Sequence, residues 1–181
     1  RNRNIETLPQ TAKIKSLRLT HLTSDKTVAS YEAETPGEWA DLIDNLNVEE
    51  AEAVDTLLQN LRSFTVKSFL MDAYADRYPL DREKSLPWTY RLRAEILLPG
   101  GETEQTKTID YVFTDRLSGT MQVGGSKAHD TIFELKLDLI EALYVLTDDM
   151  VLPPESRGEA VEPPEPPDPV AEPAAAPATT D

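Results

Sequence analysis

Residues 88–98 alternate between apolar and polar side chains, and this alternation constrains the fold more than any other feature of the chain. The alternating residues are Trp88, Tyr90, Leu92, Ala94, Ile96 and Leu98 on one side and Thr89, Arg91, Arg93 and Glu95 on the other. A period of two is typical of a β-strand with one buried face. Residues 99–102 form a turn signal, and the alternation resumes at Ile109, Tyr111 and Phe113. The sequence therefore predicts a long antiparallel hairpin in a sheet with one wet face.

An earlier part of the chain predicts a second hairpin. The spacing of Ile14, Leu17 and Leu19 indicates a strand whose register shifts by one residue near Ser16, as at a β-bulge. After a short polar turn, residues 28–35 indicate the partner strand. The first hairpin thus precedes the long one in the chain.

A helix is predicted over residues 48–62. Asn47 is a typical N-cap residue, and Glu50 follows three places later, where a negative charge suits the start of a helix. The apolar residues that follow at helical spacing are Val54, Leu57, Leu58 and Leu61. This pattern predicts a helix lying on a sheet. If Leu58 is fully buried there, Leu58→Ala would cost about 2–5 kcal/mol.

The remaining patterns complete an α+β domain. Gly124-Gly125-Ser126-Lys127 lacks the glycine spacing and following helix of a phosphate-binding loop, and is interpreted as a hairpin loop. The closing helix is predicted over Asp138–Leu146. Further short strands are predicted over residues 64–71, 120–123 and 131–135. We expect a lead-in segment over residues 1–11, then a single domain over 12–150, an antiparallel β-sheet of about six to seven strands with two covering helices.

The composition changes abruptly after this domain. Nine of the 14 prolines lie between Pro153 and Pro177, among Glu, Asp and Ala. Such a segment cannot bury enough apolar surface to offset its ordering entropy. Residues 151–181 are therefore predicted to be a disordered acidic Pro/Ala-rich tail, either a spacer or an arm that docks onto a partner.

Deleting residues 153–181 should leave the thermal stability of the protein nearly unchanged, because this tail contributes little apolar surface to a core. Thermal unfolding of the full and the shortened chain tests this. A large fall in Tm on truncation would contradict the spacer interpretation.

The charge of the chain limits its partners. It carries 33 acidic and 18 basic residues, a net charge of −15, which repels nucleic-acid phosphates. The short basic clusters Arg91 with Arg93, and Lys13 with Lys15 and Arg18, are interpreted as solvated strand faces. We therefore predict that the protein does not bind nucleic acid.

The chain offers few residues for chemistry. Cysteine is absent, which excludes disulfides and thiolate metal sites. His21 and His129 are the two histidines, and His129 with Asp130 and Glu134 would make only a partial metal site. No Gly-x-Ser-x-Gly element for a nucleophilic serine occurs. We predict no catalytic residues, no metal site and no cofactor.

Four aromatic residues are candidates for partner binding. They are Trp39, Tyr74, Tyr78 and Trp88. Aromatic side chains supply much of the contact area at protein interfaces, but at strand starts and loop ends they more often form the corners of a core. The sequence alone allows both interpretations.

Several features occur in the order found in the bacterial domain-of-unknown-function 4340 family, which residues 14–146 resemble. The features are an opening strand Lys13-Ile14-Lys15-Ser16-Leu17, Glu38-Trp39, the helical spacing of Val54, Leu57, Leu58 and Leu61, Tyr78-Pro79-Leu80-Asp81, a strand pair, Val123-Gly124, and Ile132-Phe133-Glu134-Leu135 before a last helix. The resemblance implies a location outside the cytoplasm behind an N-terminal membrane anchor, and in some members an association with ABC-transporter components of the gliding-motility type. No catalytic residues are assigned in that family, so it implies an accessory or interaction module.

These observations favour a non-catalytic accessory or protein-interaction subunit of a membrane-associated or extracytoplasmic assembly. It would bind another protein through a sheet edge, the aromatic loop Asp72–Pro87 or the tail. The given chain holds no run of about 18 apolar residues, and it begins at Arg1, so we expect any membrane anchor upstream of it. The alternative is a carboxylate-based hydrolase or small-ligand-binding domain that uses acidic residues beside Trp39 or Trp88.

Overall fold

The computed structural model describes residues 2–100 and 102–148, so the predicted tail over 151–181 lies outside the described residues. The helices there are α1 (Pro36–Asp44), α2 (Val48–Arg62) and α3 (Leu137–Asp148). The strands are β1 (Asn4–Thr7), β2 (Lys13–His21), β3 (Lys26–Glu32), β4 (Ser63–Thr65), β5 (Ser68–Met71), β6 (Arg77–Pro79), β7 (Ser85–Pro87), β8 (Tyr90–Leu98), β9 (Gln105–Phe113), β10 (Val123–Ser126) and β11 (Thr131–Glu134).

The main sheet of the described part of the chain has seven strands in the order β3-β2-β8-β9-β10-β11-β5. Each strand runs antiparallel to its neighbours. The long hairpin is confirmed: β8 and β9 pair along their whole length, from Tyr90 opposite Phe113 to Leu98 opposite Gln105. The bulge near Ser16 is also confirmed, as a register shift between Ile14 and Ser16. The predicted α+β class with an antiparallel sheet is therefore correct.

One face of this sheet, here called the inner face, is covered by α2 and α3. Leu57 and Leu61 of α2 and Ile140 and Leu143 of α3 are fully buried in one cluster with side chains of the central strands. The strand residues of this cluster include Leu17, Leu19, Leu92, Ala94, Ile96, Ile109, Tyr111, Phe113 and Phe133. Alternation along β8 and β9 thus identified the buried side of the hairpin.

The opposite, outer face is covered over part of its width only. Residues 72–87 fold across β9, β10 and β11 and enclose a second, smaller cluster around Trp88, Val112, Val123 and Ile132. This segment was predicted as a loop, but it contains the short hairpin of β6 and β7. The Asp81 carboxylate forms the turn of that hairpin by accepting hydrogen bonds from the backbone of Glu83 and Lys84.

Two elements near the start of the chain were not predicted. The lead-in segment contains β1, which pairs with β4 to form a separate two-stranded sheet. Residues 36–44 form α1, in a stretch for which no element was predicted. Thr35 caps this helix by accepting from the Glu38 N–H at 3.1 Å, and Glu38 accepts from the Thr35 N–H in return. This capping box, with Pro36 at the first turn, is a sequence signal for a helix start.

The glycine pair at 124–125 lies in a strand, which corrects its interpretation as a hairpin loop. Both residues belong to β10 and pair with β11. A Cβ atom on Gly124 would lie 2.6 Å from the Phe133 ring, and one on Gly125 would lie 3.0 Å from the Trp88 ring. The glycines are therefore required because aromatic rings pack directly on the strand from both sides, and the turn falls at residues 127–130.

Helix α2 has the predicted bounds, since the Asn47 side chain accepts from the Glu50 N–H at 2.8 Å. Leu58, however, is only partly buried and packs at the margin of the core, whereas Leu57 is 1% exposed. Leu57, rather than Leu58, therefore lies at the centre of the apolar stripe of α2 that faces the sheet. Within the described residues, no helix is both long and apolar enough to span a membrane.

Candidate functional site

Trp39 lies in the core, which favours the interpretation of this residue as a corner of the core over partner binding. It lies on α1 and is 7% exposed. Its indole Nε1–H donates to the backbone oxygen of Ile14 at 2.7 Å, so the ring fastens α1 onto β2. Its burial and its satisfied N–H are those of a core tryptophan.

Trp88 is also buried, at 8% exposure, and it lies in the outer cluster rather than with Tyr90 on the inner face. The predicted alternation therefore included Trp88 wrongly. Strand β8 begins at Tyr90, and Trp88, which precedes it, packs on the outer face. Its Nε1–H donates to the backbone oxygen of Ala75 at 2.9 Å, which holds the 72–87 segment on the sheet. Trp88 thus anchors this segment, which favours the core interpretation of this residue over partner binding.

Tyr74 and Tyr78 belong to the same segment and are half-buried. The Tyr74 ring stacks on Trp88 with centroids 6.1 Å apart and planes 12° from parallel. The Tyr74 N–H also donates to Asp130 at 2.8 Å, so both the backbone and the ring are fixed. Of the four predicted aromatic residues, Tyr74 is the one that lines a surface cavity on the outer face.

This cavity, the boundary pocket, lies where the covering segment ends and the bare part of the outer face begins. Its volume is about 340 Å³. Its lining residues are Tyr74, Arg91, Asp110, Val112, Gly125, Lys127 and Ala128. A phenol, a guanidinium, an ammonium and a carboxylate group thus meet beside an apolar wall. Two cations against one anion suit a pocket for a polar or anionic group.

The Asp110 carboxylate organises the charged side of the pocket. Its Oδ1 lies 3.2 Å from Arg91 Nε, and its Oδ2 lies 3.0 Å from Arg93 Nη2. The Arg91 Nε atom is buried and makes no hydrogen bond, so its contact with Asp110 is an ion pair without hydrogen-bond geometry. One carboxylate thus holds two guanidinium groups in place and leaves an excess of positive charge.

The phenol of Tyr74 stays protonated over a wider pH range than an exposed tyrosine. Burial raises its pKa, and the carboxylates of Asp76 and Asp110 raise it further, while the Arg91 guanidinium acts in the opposite direction. Tyr74 therefore presents a neutral hydroxyl at physiological pH, with the carboxylates of Asp76 and Asp110 and the Arg91 guanidinium as its charged neighbours.

Sheet register brings a third arginine to this place. Arg18 of β2 lies directly opposite Arg93 of β8, and Arg93 lies opposite Asp110 of β9. We call the five residues Arg18, Arg91, Arg93, Asp110 and Lys127 the arginine surface. Among the described residues, neither Arg18 nor Lys127 has an ion-pair partner. Arg18 of one basic cluster therefore lies beside Arg93 of the other, because β2 and β8 are neighbours.

The histidines lie elsewhere. His129 Nε2 is 3.4 Å from Glu6 Oε2, and Glu6 also pairs with Lys107. A cavity of about 440 Å³ beside it is lined by Asn4, Ile5, Phe69, Asp72, His129, Asp130 and Thr131. No group of three or more His, Asp or Glu residues in the described ranges is arranged to hold a metal ion. His21 accepts from the Ser24 N–H at 3.2 Å and contacts the Tyr90 ring edge to face, so it shapes a turn.

Comparisons with known proteins yielded one distant likeness. No protein-family model matches the chain, and no curated protein matches it. Among solved structures, a thioesterase-like protein from Clostridium sporogenes aligns with 8% identity and a TM-score of 0.41, over 75% of this chain and 95% of that chain. A likeness of this degree indicates neither a shared fold nor a shared activity.

Proposed function

We propose that the protein is a non-catalytic accessory or interaction subunit that binds another protein through its outer sheet face. The observation that carries this proposal is the uneven cover of that face. Residues 72–87 cover β9, β10 and β11, whereas Arg18, Arg93 and Glu95 on the neighbouring strands are exposed. The edge of the covering segment and the exposed strands beside it together form a concave surface, here called the step, against which a partner could pack.

The residue types at this step support the proposal. Arginine and tyrosine are enriched at the centres of protein interfaces, because each combines apolar contact area with directional hydrogen bonding. Tyr74 is already ordered by Trp88 and Asp130, and Arg91 and Arg93 are ordered by Asp110. Side chains held in place before binding lose less entropy when the partner arrives.

The cellular place of this function is proposed from the resemblance to the domain-of-unknown-function 4340 family. We propose that the subunit works outside the cytoplasm, in a membrane-associated assembly. The free edge of β3 is a further contact point, since β3 bonds to a strand on its β2 side alone within the described ranges.

Arg91→Gln with Arg93→Gln should lower partner recovery at least tenfold when the tagged full chain is used to capture proteins from the native membrane fraction. The loss follows because both side chains would face the partner. Mass spectrometry with quantification against the wild type is the measurement. The matched control, Arg82→Gln with Lys84→Gln, removes two exposed charges from the β6–β7 turn and should leave recovery within twofold. Equal loss in both variants would mean that net charge alone governs binding.

The alternative function, a carboxylate-based hydrolase or small-ligand-binding domain, is favoured by one observation, the cavity beside His129. Of the acidic residues that line it, Asp130 accepts a hydrogen bond from the Tyr74 N–H, and the His129 ring lies against Glu6, which also pairs with Lys107. The carboxylates expected beside Trp39 or Trp88 do not form a cleft with these buried rings; Glu38 caps α1 instead. Hydrolysis of chromogenic ester substrates by the wild type, lost in His129→Gln, would support this alternative over the interaction subunit.

A further inference from the structure

We infer that the arginine surface binds an acidic, extended segment of a partner protein, an inference that rests on the proposed function and adds the chemistry of the partner. The boundary pocket would take one carboxylate side chain of that segment between Tyr74, Arg91 and Lys127. The remaining acidic side chains would lie along Arg93 and Arg18.

The strongest support is a like-charge pair that the fold does not need. Arg18 and Arg93 are direct cross-strand neighbours on the outer face. Like charges in this position are destabilising, and polar or oppositely charged pairs are favoured there. Asp110 offsets the charge of Arg93 but is already shared with Arg91. The pair therefore lowers stability to the extent that Asp110, and Glu32 and Glu95 in the next row, leave its charge uncompensated. An external anion between the two guanidinium groups would remove that cost.

The composition of the surface gives the sign of the partner. Arg18, Arg91, Arg93 and Lys127 carry four positive charges, and Asp110 carries the one negative charge among them. Glu95 and Glu32 both lie opposite Ser16, in the row next to Arg18 on either side of β2, and mark one border of the positive region. An acidic segment would thus be attracted by the arginine surface and repelled by the carboxylates at its border. This repulsion would fix where the segment lies on the sheet.

The net charge of −15 does not prevent this binding. At physiological ionic strength the Debye length is about 8 Å, so charges farther away are largely screened. Contact energies are then decided by the groups within the arginine surface. Guanidinium groups bind carboxylates in a two-pronged geometry that an ammonium group cannot supply.

The inference is tested with a labelled peptide in which glutamate alternates with alanine, and with the same peptide carrying glutamine in place of glutamate. Fluorescence anisotropy at about 50 mM salt, where surface electrostatics are strong, measures its binding to the full chain. We expect the glutamate peptide to bind and Arg18→Glu to weaken it at least tenfold. Lys84→Glu, the same charge reversal on the β6–β7 turn, should change the affinity less than twofold.

A stability measurement on the same variants separates binding from a structural role. Arg18→Glu should raise Tm by about 1–4 °C, because it replaces a like-charge pair with an ion pair to Arg93. Higher stability with weaker peptide binding is the signature of a residue kept for its ligand. A lower Tm, equal binding by the wild type and Arg18→Glu, or equal binding of the glutamine peptide would overturn the inference.

Capture from the membrane fraction distinguishes this inference from the proposed function. If the wild type and Arg18→Glu retain the same partner equally, the acidic-segment inference fails and the interaction subunit stands. If the wild type retains no partner at all, the proposed function itself fails. A single-stranded oligonucleotide that binds as tightly as the glutamate peptide would also overturn the choice of an acidic protein segment.

Discussion

Phe133→Ala should lower the free energy of unfolding by about 3–5 kcal/mol, the usual cost of removing a fully buried phenylalanine ring. Phe133 is completely buried on the inner face. Its ring meets Phe64 edge to face with centroids 5.5 Å apart, and Tyr111 with centroids 6.4 Å apart. The loss would be a large share of the roughly 5–15 kcal/mol that stabilises an ordinary domain. Urea unfolding followed by circular dichroism measures it.

A double-mutant cycle with Gly124 tests the packing that underlies this prediction. Gly124→Ala alone should cost about 1–3 kcal/mol, because its Cβ would lie 2.6 Å from the Phe133 ring. In the Phe133→Ala background that clash is gone, so the same substitution should cost clearly less. Residues in contact show such non-additivity, whereas distant ones do not. Additive effects would mean that the ring does not rest on the glycine.

The parts of the fold that could be predicted from sequence are those fixed by neighbouring residues. Helix α2 has its own cap at Asn47 and its own apolar stripe, so local pattern was sufficient. The β8–β9 hairpin likewise carries its turn between its strands. Strand β1 could not be found this way, because it is short and pairs with β4, far along the chain. Helix α1 could have been predicted, since Thr35 followed by Glu38 three residues later is the sequence pattern of a capping box.

The candidate site was less accessible to sequence reasoning because it depends on strand order. Nothing local indicates that β2 lies beside β8, so the sequence does not predict that Arg18 and Arg93 are neighbours. Aromatic residue type likewise did not distinguish surface from core. Trp39 and Trp88 are buried and hydrogen-bonded, while Tyr74 from the same predicted set lines the boundary pocket.

Leu57→Ala should lower the free energy of unfolding by about 2–5 kcal/mol, because it removes a 1%-exposed side chain from the layer between α2 and the sheet. The spread in this range reflects how far the neighbouring side chains can relax into the cavity. Leu61 and Leu143, both fully buried in the same cluster, leave little room for such relaxation. Chemical denaturation with unchanged m-value is the measurement that assigns the effect to the native core.

Leu58→Ala is the matched control, since it makes the same substitution one residue further along the interior of the same helix. The gain in helix propensity from leucine to alanine is equal at both positions, so it cancels in the comparison. Leu58 is partly buried at the margin of the core, and its substitution should therefore cost clearly less than that of Leu57. Equal losses would place the two side chains at the same depth and contradict the rotation of α2 on the sheet. A larger loss at Leu58 would mean that α2 turns the other side of its apolar stripe toward the strands.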